Sequence, residues 1–193
     1  MGFDLKKQLV AYGAYHRDPT NVKIHMTFVP IIMATAFIFG TNTPTLSTPS
    51  PRLTALLTRL NLPLNLSTLA GLTYSTLYIY LSPNTAGLIL SPLVLLLSSV
   101  TNCLKNTTTS MRKINIIAGV VHVISWIAQF IGHGKFEGRK PALLDNLAQA
   151  LFLAPLFVWY EGLFKLGYYK ELQTEVDRGI EEEIARIRSL DKR

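Results

Sequence analysis

The stretch "INIIAGVVHVISWIAQFIGHGKFEG", Ile114–Gly138, carries no formal charge as far as Ile131 and then turns abruptly into a histidine between two glycines, Gly132 and Gly134, with Glu137 four residues beyond His133. A bilayer core about 30 Å thick needs roughly 20 helical residues to cross it. Ile114–Ile131 therefore reads as a membrane-embedded helix, and the glycine-flanked histidine stands at its mouth.

The same apolar texture recurs outward from that segment. Ile24–Gly40 is one further candidate, and Leu62–Leu81 and Ala86–Leu104 form a pair separated by the turn "SPNT", which predicts a tight helical hairpin. Ala142–Phe164 carries Asp145 and Glu161 and is interrupted at Pro155, which suits a bent or re-entrant element better than a clean span. Across the chain 49% of residues are hydrophobic and 16% charged, against about a quarter charged in soluble domains. The expected fold class is all-α: a polytopic membrane helical bundle with four to six membrane-embedded helices and a C-terminal amphipathic helix.

That last helix is read from Leu172, Val176, Ile180, Ile184, Ile187 and Leu190, apolar positions three and four apart in a charged tail. It predicts packing along the membrane surface or the rest of the protein rather than a dimerising coiled coil. The expected division is a membrane-embedded catalytic region over 1–169 and the charged helix over 170–193. Thr41–Arg52, rich in Pro, Ser and Thr, and Lys105–Lys113 read as loops. No cleavable leader is expected, since "MGFDLKKQLVAYGAYHRDP" has no apolar core. Lys6 at the sixth position argues against myristoylation of Gly2.

The net charge of +7 is scattered between apolar runs, without the basic face and interleaved aromatics of a nucleic-acid binder. Attraction to anionic membrane lipid accounts for it, and no nucleic-acid partner is expected. Cys103 is the single cysteine, so disulfides do not hold this fold and thiolate metal ligation is excluded. These patterns do not encode the oligomeric state.

The four histidines, His16, His25, His122 and His133, all lie at the mouth of an apolar segment or inside one. A single such histidine is ordinarily structural, whereas several that converge point to metal, because neutral imidazole is the commonest metal ligand. Successive crossings would return the end of the fourth apolar segment to the face where the first began, where His16 and His25 can meet His133. His16 and His25 are nine residues apart, roughly 13–14 Å along a continuous helix and on opposite faces. They can share a metal only if the chain breaks, as Asp18, Pro19 and Asn21 allow. His122 lies eleven residues before His133, about 16 Å along a helix, so a ligand role and a hydrogen-bonded structural role both stand for it.

Glu137 is a candidate carboxylate ligand or catalytic residue, the competing reading being a surface ion pair with Arg139 or Lys140. Two or three histidines with a carboxylate and open positions suit non-haem Fe(II). Tyr12 and Tyr15 read chiefly as an interfacial aromatic belt, with pocket lining as the second reading.

"HRDPTNVKIH" (His16–His25), "WIAQFIGHGKFEGRKPALLDNLAQALFLAPLF" (Trp126–Phe157) and "EGLFKLGYY" (Glu161–Tyr169) resemble the fungal 2-hydroxy fatty acid dioxygenase family, endoplasmic reticulum membrane proteins of phytosphingosine breakdown. The resemblance runs from about Leu9 to Tyr169. It implies an Fe(II)-dependent α-oxidation in a multi-pass endoplasmic reticulum membrane protein: a 2-hydroxy long-chain fatty acid and O2 give a fatty acid one carbon shorter, without 2-oxoglutarate. His16, His25 and His133 match the family histidines, and Asn21, Gln129 and Glu137 its accompanying polar positions. His122 lies outside the two tightest blocks. Asn21 and Gln129 are suited to orienting a ligand imidazole or the substrate, and Arg17 or Arg139 to attracting the substrate carboxylate, against a reading as solvated cations. Two alternatives stay beside this one: the same metal site acting on another hydroxylated metabolite, and a non-catalytic membrane scaffold or transporter.

Overall fold

The computed structural model describes residues 4–47, 50–138 and 147–190. Among them are α1 (Leu5–Gly13), α2 (Pro19–Gly40), α3 (Pro51–Arg59), α4 (Leu66–Leu81), α5 (Thr85–Thr107), α6 (Met111–Ile131), a π-helical turn (Gly132–Glu137), α7 (Leu147–Lys165) and α8 (Lys170–Leu190). The protein is all-helical, as its apolar runs require. Among the described residues three segments are long and apolar enough to cross a membrane: α2, α5, and α6 together with its π turn. The apolar α4 has 16 residues, shorter than a straight crossing needs. Helix α7 accommodates Pro155 in its interior, while residues 142–146 of the fifth apolar segment lie outside the described residues.

Some boundaries differ from the sequence reading for local reasons. The loop expected over Thr41–Arg52 ends early, because Ser50 caps α3 through Leu53 N–H and Pro51 takes the first helical position, where its missing donor costs nothing. The first half of the hairpin starts at Leu66 rather than Leu62, since the Asn65 side chain accepts from Thr68 N–H and sets the start. The Lys105–Lys113 linker shrinks to residues 108–110 between α5 and α6.

The chain divides into two compact units. Pro30–Trp126 forms one of them, in which α4 and α5 pack as the predicted hairpin. Their interface is lined with small polar residues. Asn65 Nδ2 donates to Asn102 Oδ1 at 2.6 Å, Ser67 meets Ser98 and Thr101 at 3.2 Å, and Ser75 and Ser91 exchange hydrogen bonds with each other's backbone carbonyls. Where lipid tails are as apolar as leucine, small residues and interhelical hydrogen bonds hold helices together in place of the hydrophobic effect. The outward faces fit that medium: Leu88, Leu96 and Val100 on α5 and Ile116, Ile117, Val120 and Val123 on α6 are all exposed.

Met1–Val29 and Ile127–Arg193 form the other unit. Its core includes Leu9 and Ala14 from the first helix and the loop after it, Leu153, Leu156 and Phe157 from α7, and Val176 and Ile180 from α8. Helix α8 lies along α1, with Ile180 against Gly13 and Val10 against Gly179. Burying Val176 and Ile180 is worth about 1.5–3 kcal/mol apiece. The ion pair Lys6–Glu175, at 2.8 Å, flanks this contact in solvent. The amphipathic stripe of the tail is therefore used within the chain.

Candidate metal centre

Helix α1 ends at Gly13 and a short connection carries His16 before α2 begins. Pro19 is the first residue of α2, and the Asp18 carboxylate accepts from Thr20 N–H at 2.7 Å and Asn21 N–H at 3.1 Å, an N-cap that fixes the turn. The break that His16 and His25 need thus falls just before Pro19. His25 lies two turns into α2.

Both imidazoles are oriented by the same device. His16 Nδ1 bonds the Tyr12 carbonyl at 2.9 Å and His25 Nδ1 bonds the Asn21 carbonyl at 2.9 Å. A carbonyl can only accept, so each ring carries its proton on Nδ1, which leaves the Nε2 lone pair free. His16 is clamped further, its ring stacked on Tyr12 at 3.7 Å between centroids, and Tyr12 stacked on Phe157 at 3.8 Å. Burial, with His25 adding to it, holds the His16 imidazole well below its usual pKa, the neutral form a metal requires. Burial also pushes the Tyr12 hydroxyl above its ordinary range.

His133 reaches the same place from the π turn after α6. Its ring centroid lies 4.7 Å from that of His16 and 4.8 Å from that of His25, which are 4.4 Å from each other. One nitrogen from each ring lies within 4.8 Å of the others, and all three side chains are buried. His16 Nε2 and His133 Nδ1 have no hydrogen-bond partner. Buried, unpaired lone pairs are costly unless something fills the space between them. A divalent cation fits that description, and three neutral imidazoles suit iron, zinc or copper alike.

Glu137 does something other than join the three rings. Its carboxylate accepts from Arg17 N–H at 3.0 Å, Asp18 N–H at 3.0 Å and Asn21 Nδ2 at 3.1 Å. The π turn, a form that recurs at functional sites, thereby ties the segment bearing His133 to the loop between His16 and His25. Gly138, at φ 66°, closes the turn by donating to the His133 carbonyl. With its amide nitrogen on Glu137, Asn21 turns Oδ1 toward Gly132, where a Cβ would collide with it. The glycine before His133 is there for close approach as much as for flexibility. Gln129 is buried, and its Nε2 has no partner.

Three of the four histidines meet. The fourth, His122, belongs to the Pro30–Trp126 unit, and both its nitrogens are occupied: Nδ1 lies 2.7 Å from Thr35 Oγ1, and Nε2 accepts from Trp126 at 2.9 Å. That is the structural alternative for this residue. The Arg17 guanidinium pairs with Asp177 at 3.0 Å and Glu181 at 3.7 Å on α8, so protein carboxylates already stand where a substrate carboxylate was expected. Arg139 and Lys140 lie outside the described residues. The sequence reading missed α1, whose Leu5, Leu9 and Tyr12 spacing was the available signal, and Phe157, which had none.

Three buried imidazoles, two of them with unpartnered nitrogens, come together beside long apolar helices in an arrangement that could hold a metal ion. The chain belongs to the family described as 2-hydroxy-palmitic acid dioxygenase Mpo1-like, whose model matches residues 3–166. It is 36% identical over 178 residues to the 2-hydroxy-palmitic acid dioxygenase MPO1 of Saccharomyces cerevisiae, covering 92% of this chain and 90% of the yeast protein. No solved structure matches it.

Proposed function

We propose that the protein is an Fe(II)-dependent dioxygenase of the endoplasmic reticulum membrane that converts a 2-hydroxy long-chain fatty acid and O2 into a fatty acid one carbon shorter, the carboxyl carbon being lost. The observation that carries this reading is the convergence of His16, His25 and His133, with unpartnered nitrogens on His16 and His133, in a chain of this family. Iron follows from the dioxygenase class rather than from the ligands, which are equally good for zinc. Iron, when bound, supplies open positions and one-electron chemistry toward O2.

The residues around it divide the remaining work. His16, His25 and His133 hold the metal, the first two with their rings fixed by backbone carbonyls. Glu137 and Asn21 keep the two chain segments in register and act through the histidines as positioning residues. Gln129 Nε2 is a buried donor without a partner, suited to the hydroxyl or carboxylate of a 2-hydroxy acid, where it would restrict rotation about the bond to be cleaved. The Tyr12–Phe157 stack covers one face of the His16 ring with aromatic surface.

The test is metal content, O2 uptake and product analysis with 2-hydroxypalmitate on iron-loaded protein, wild type against His133→Ala. Iron retained by wild type alone, with a product one carbon shorter, is the expected result. Iron bound with the substrate untouched would move the reading to another hydroxylated metabolite. Loss of both in folded wild-type protein would return the histidines to structure.

A further inference from the structure

A cavity of about 320 Å³ opens beside the histidines within the unit that holds them, and His16 and His25 form part of its wall. Its size falls in the range of small-molecule pockets, roughly 300–1,000 Å³. Val22 and Met26 of α2 line one side, and Phe157, Val158 and Phe164 of α7 another. Leu9 and Tyr12 of α1 and Gln173, Val176 and Ile180 of α8 complete the uncharged part of the wall, and Arg17, Lys23, Glu161, Lys165 and Asp177 supply charged groups to the lining. Helix α8 lies beyond residues 3–166, the part of the chain the family model matches, yet Val176 and Ile180 are as buried as the core.

We propose that this cavity receives the acyl chain of the substrate and that α8, through Gln173, Val176 and Ile180, sets the chain length it accepts. The inference rests on the dioxygenase reading for the identity of the head group, and on continuity for the rest: an acid whose first two carbons lie at the histidines has its chain next to His16 and His25, where this mostly apolar space begins. The acyl chain then leaves the membrane helices and runs under the tail helix. Arg17 joins the two regions, since the residue after a metal-binding histidine is also the one whose guanidinium holds Asp177 and Glu181 of α8.

The experiment uses the full chain in nanodiscs and compares wild type, Val176→Phe, Val176→Ala and Thr174→Phe, the last an exposed position of α8 that does not line the cavity. Binding of octanoate, laurate and palmitate to metal-free protein is measured by displacement of a fluorescent fatty acid. Turnover of the corresponding 2-hydroxy acids is measured after iron loading. Filling the cavity with Val176→Phe is expected to weaken palmitate about tenfold or more relative to laurate, as methylene-sized changes in an apolar pocket do. Val176→Ala is expected to tilt the preference the other way, and Thr174→Phe to leave it unchanged. If both Val176 variants keep the wild-type ratio across chain lengths while only the melting temperature falls, α8 is a packing element and the proposal is wrong, with the dioxygenase reading untouched. A shifted binding preference in a protein that turns over no 2-hydroxy acid supports the acyl cavity and sinks the reaction assigned to it.

Discussion

At the scale of single residues, the centre depends on side chains that never touch the metal position. Glu137 gathers two backbone N–H groups and the Asn21 amide onto one carboxylate, and a neutral replacement cannot accept them all. Glu137→Gln is expected to stay folded yet lose roughly 10- to 100-fold in iron affinity, read by iron retention during dialysis against a competing chelator. Gly132 and Gly134 offer a paired test. A methyl group at 132 is driven into Asn21 Oδ1, whereas nothing lies within 4 Å of one at 134. Gly132→Ala should cost about 1–3 kcal/mol and release the metal, while Gly134→Ala should stay within about 0.5 kcal/mol of wild type. Thermal unfolding and metal content on the two variants check both statements. Equal behaviour would mean that the Asn21 contact does not constrain the turn.

At the scale of elements, the long apolar helices were legible because an uncharged apolar run of some twenty residues matches the thickness of a bilayer and little else. The capped starts were half legible: Asp18-Pro19 announced its break, but Ser50-Pro51 sat in a Pro-rich stretch that equally suits a loop. The convergence of His16, His25 and His133 was legible only from four crossings, a count that needs the 16-residue α4 beside the three described helices long and apolar enough to span. The capture of the half-buried Glu137 carboxylate by backbone donors was not legible, since no spacing within α6 and its π turn reports on a loop more than a hundred residues earlier. The same holds for α8, whose stripe was plain and whose partner α1 was not. Ile180 packs against Gly13, so Ile180→Ala should destabilise the protein by about 2–5 kcal/mol. Lys6→Ala, which removes a solvent-exposed pair, should leave the melting temperature nearly unchanged. In the α4–α5 hairpin, Asn102→Leu strips Asn65 of its buried partner. The expected loss is about 0.6–2 kcal/mol, measured by thermal unfolding in detergent.

At the scale of the whole molecule, the three helices among the described residues that are long and apolar enough to cross a bilayer predict that the protein stays in the pellet after an alkaline carbonate wash and leaves it only with detergent. Release by carbonate would refute membrane insertion. The candidate ligands come from two separate stretches of the chain: His16 and His25 belong to the first 29 residues, His133 to the stretch from Ile127 on, and the continuous unit Pro30–Trp126 lies between them in sequence. During biosynthesis the first two histidines leave the ribosome 108 residues ahead of the third, counting from 25 to 133. At about 5–20 residues per second that is a wait of roughly 5–20 s. For that interval the nascent chain offers only two of the three histidines that could hold a metal. A metal held by all three imidazoles could be bound only once residues 30–126 between them have been made, late in the synthesis of the polypeptide.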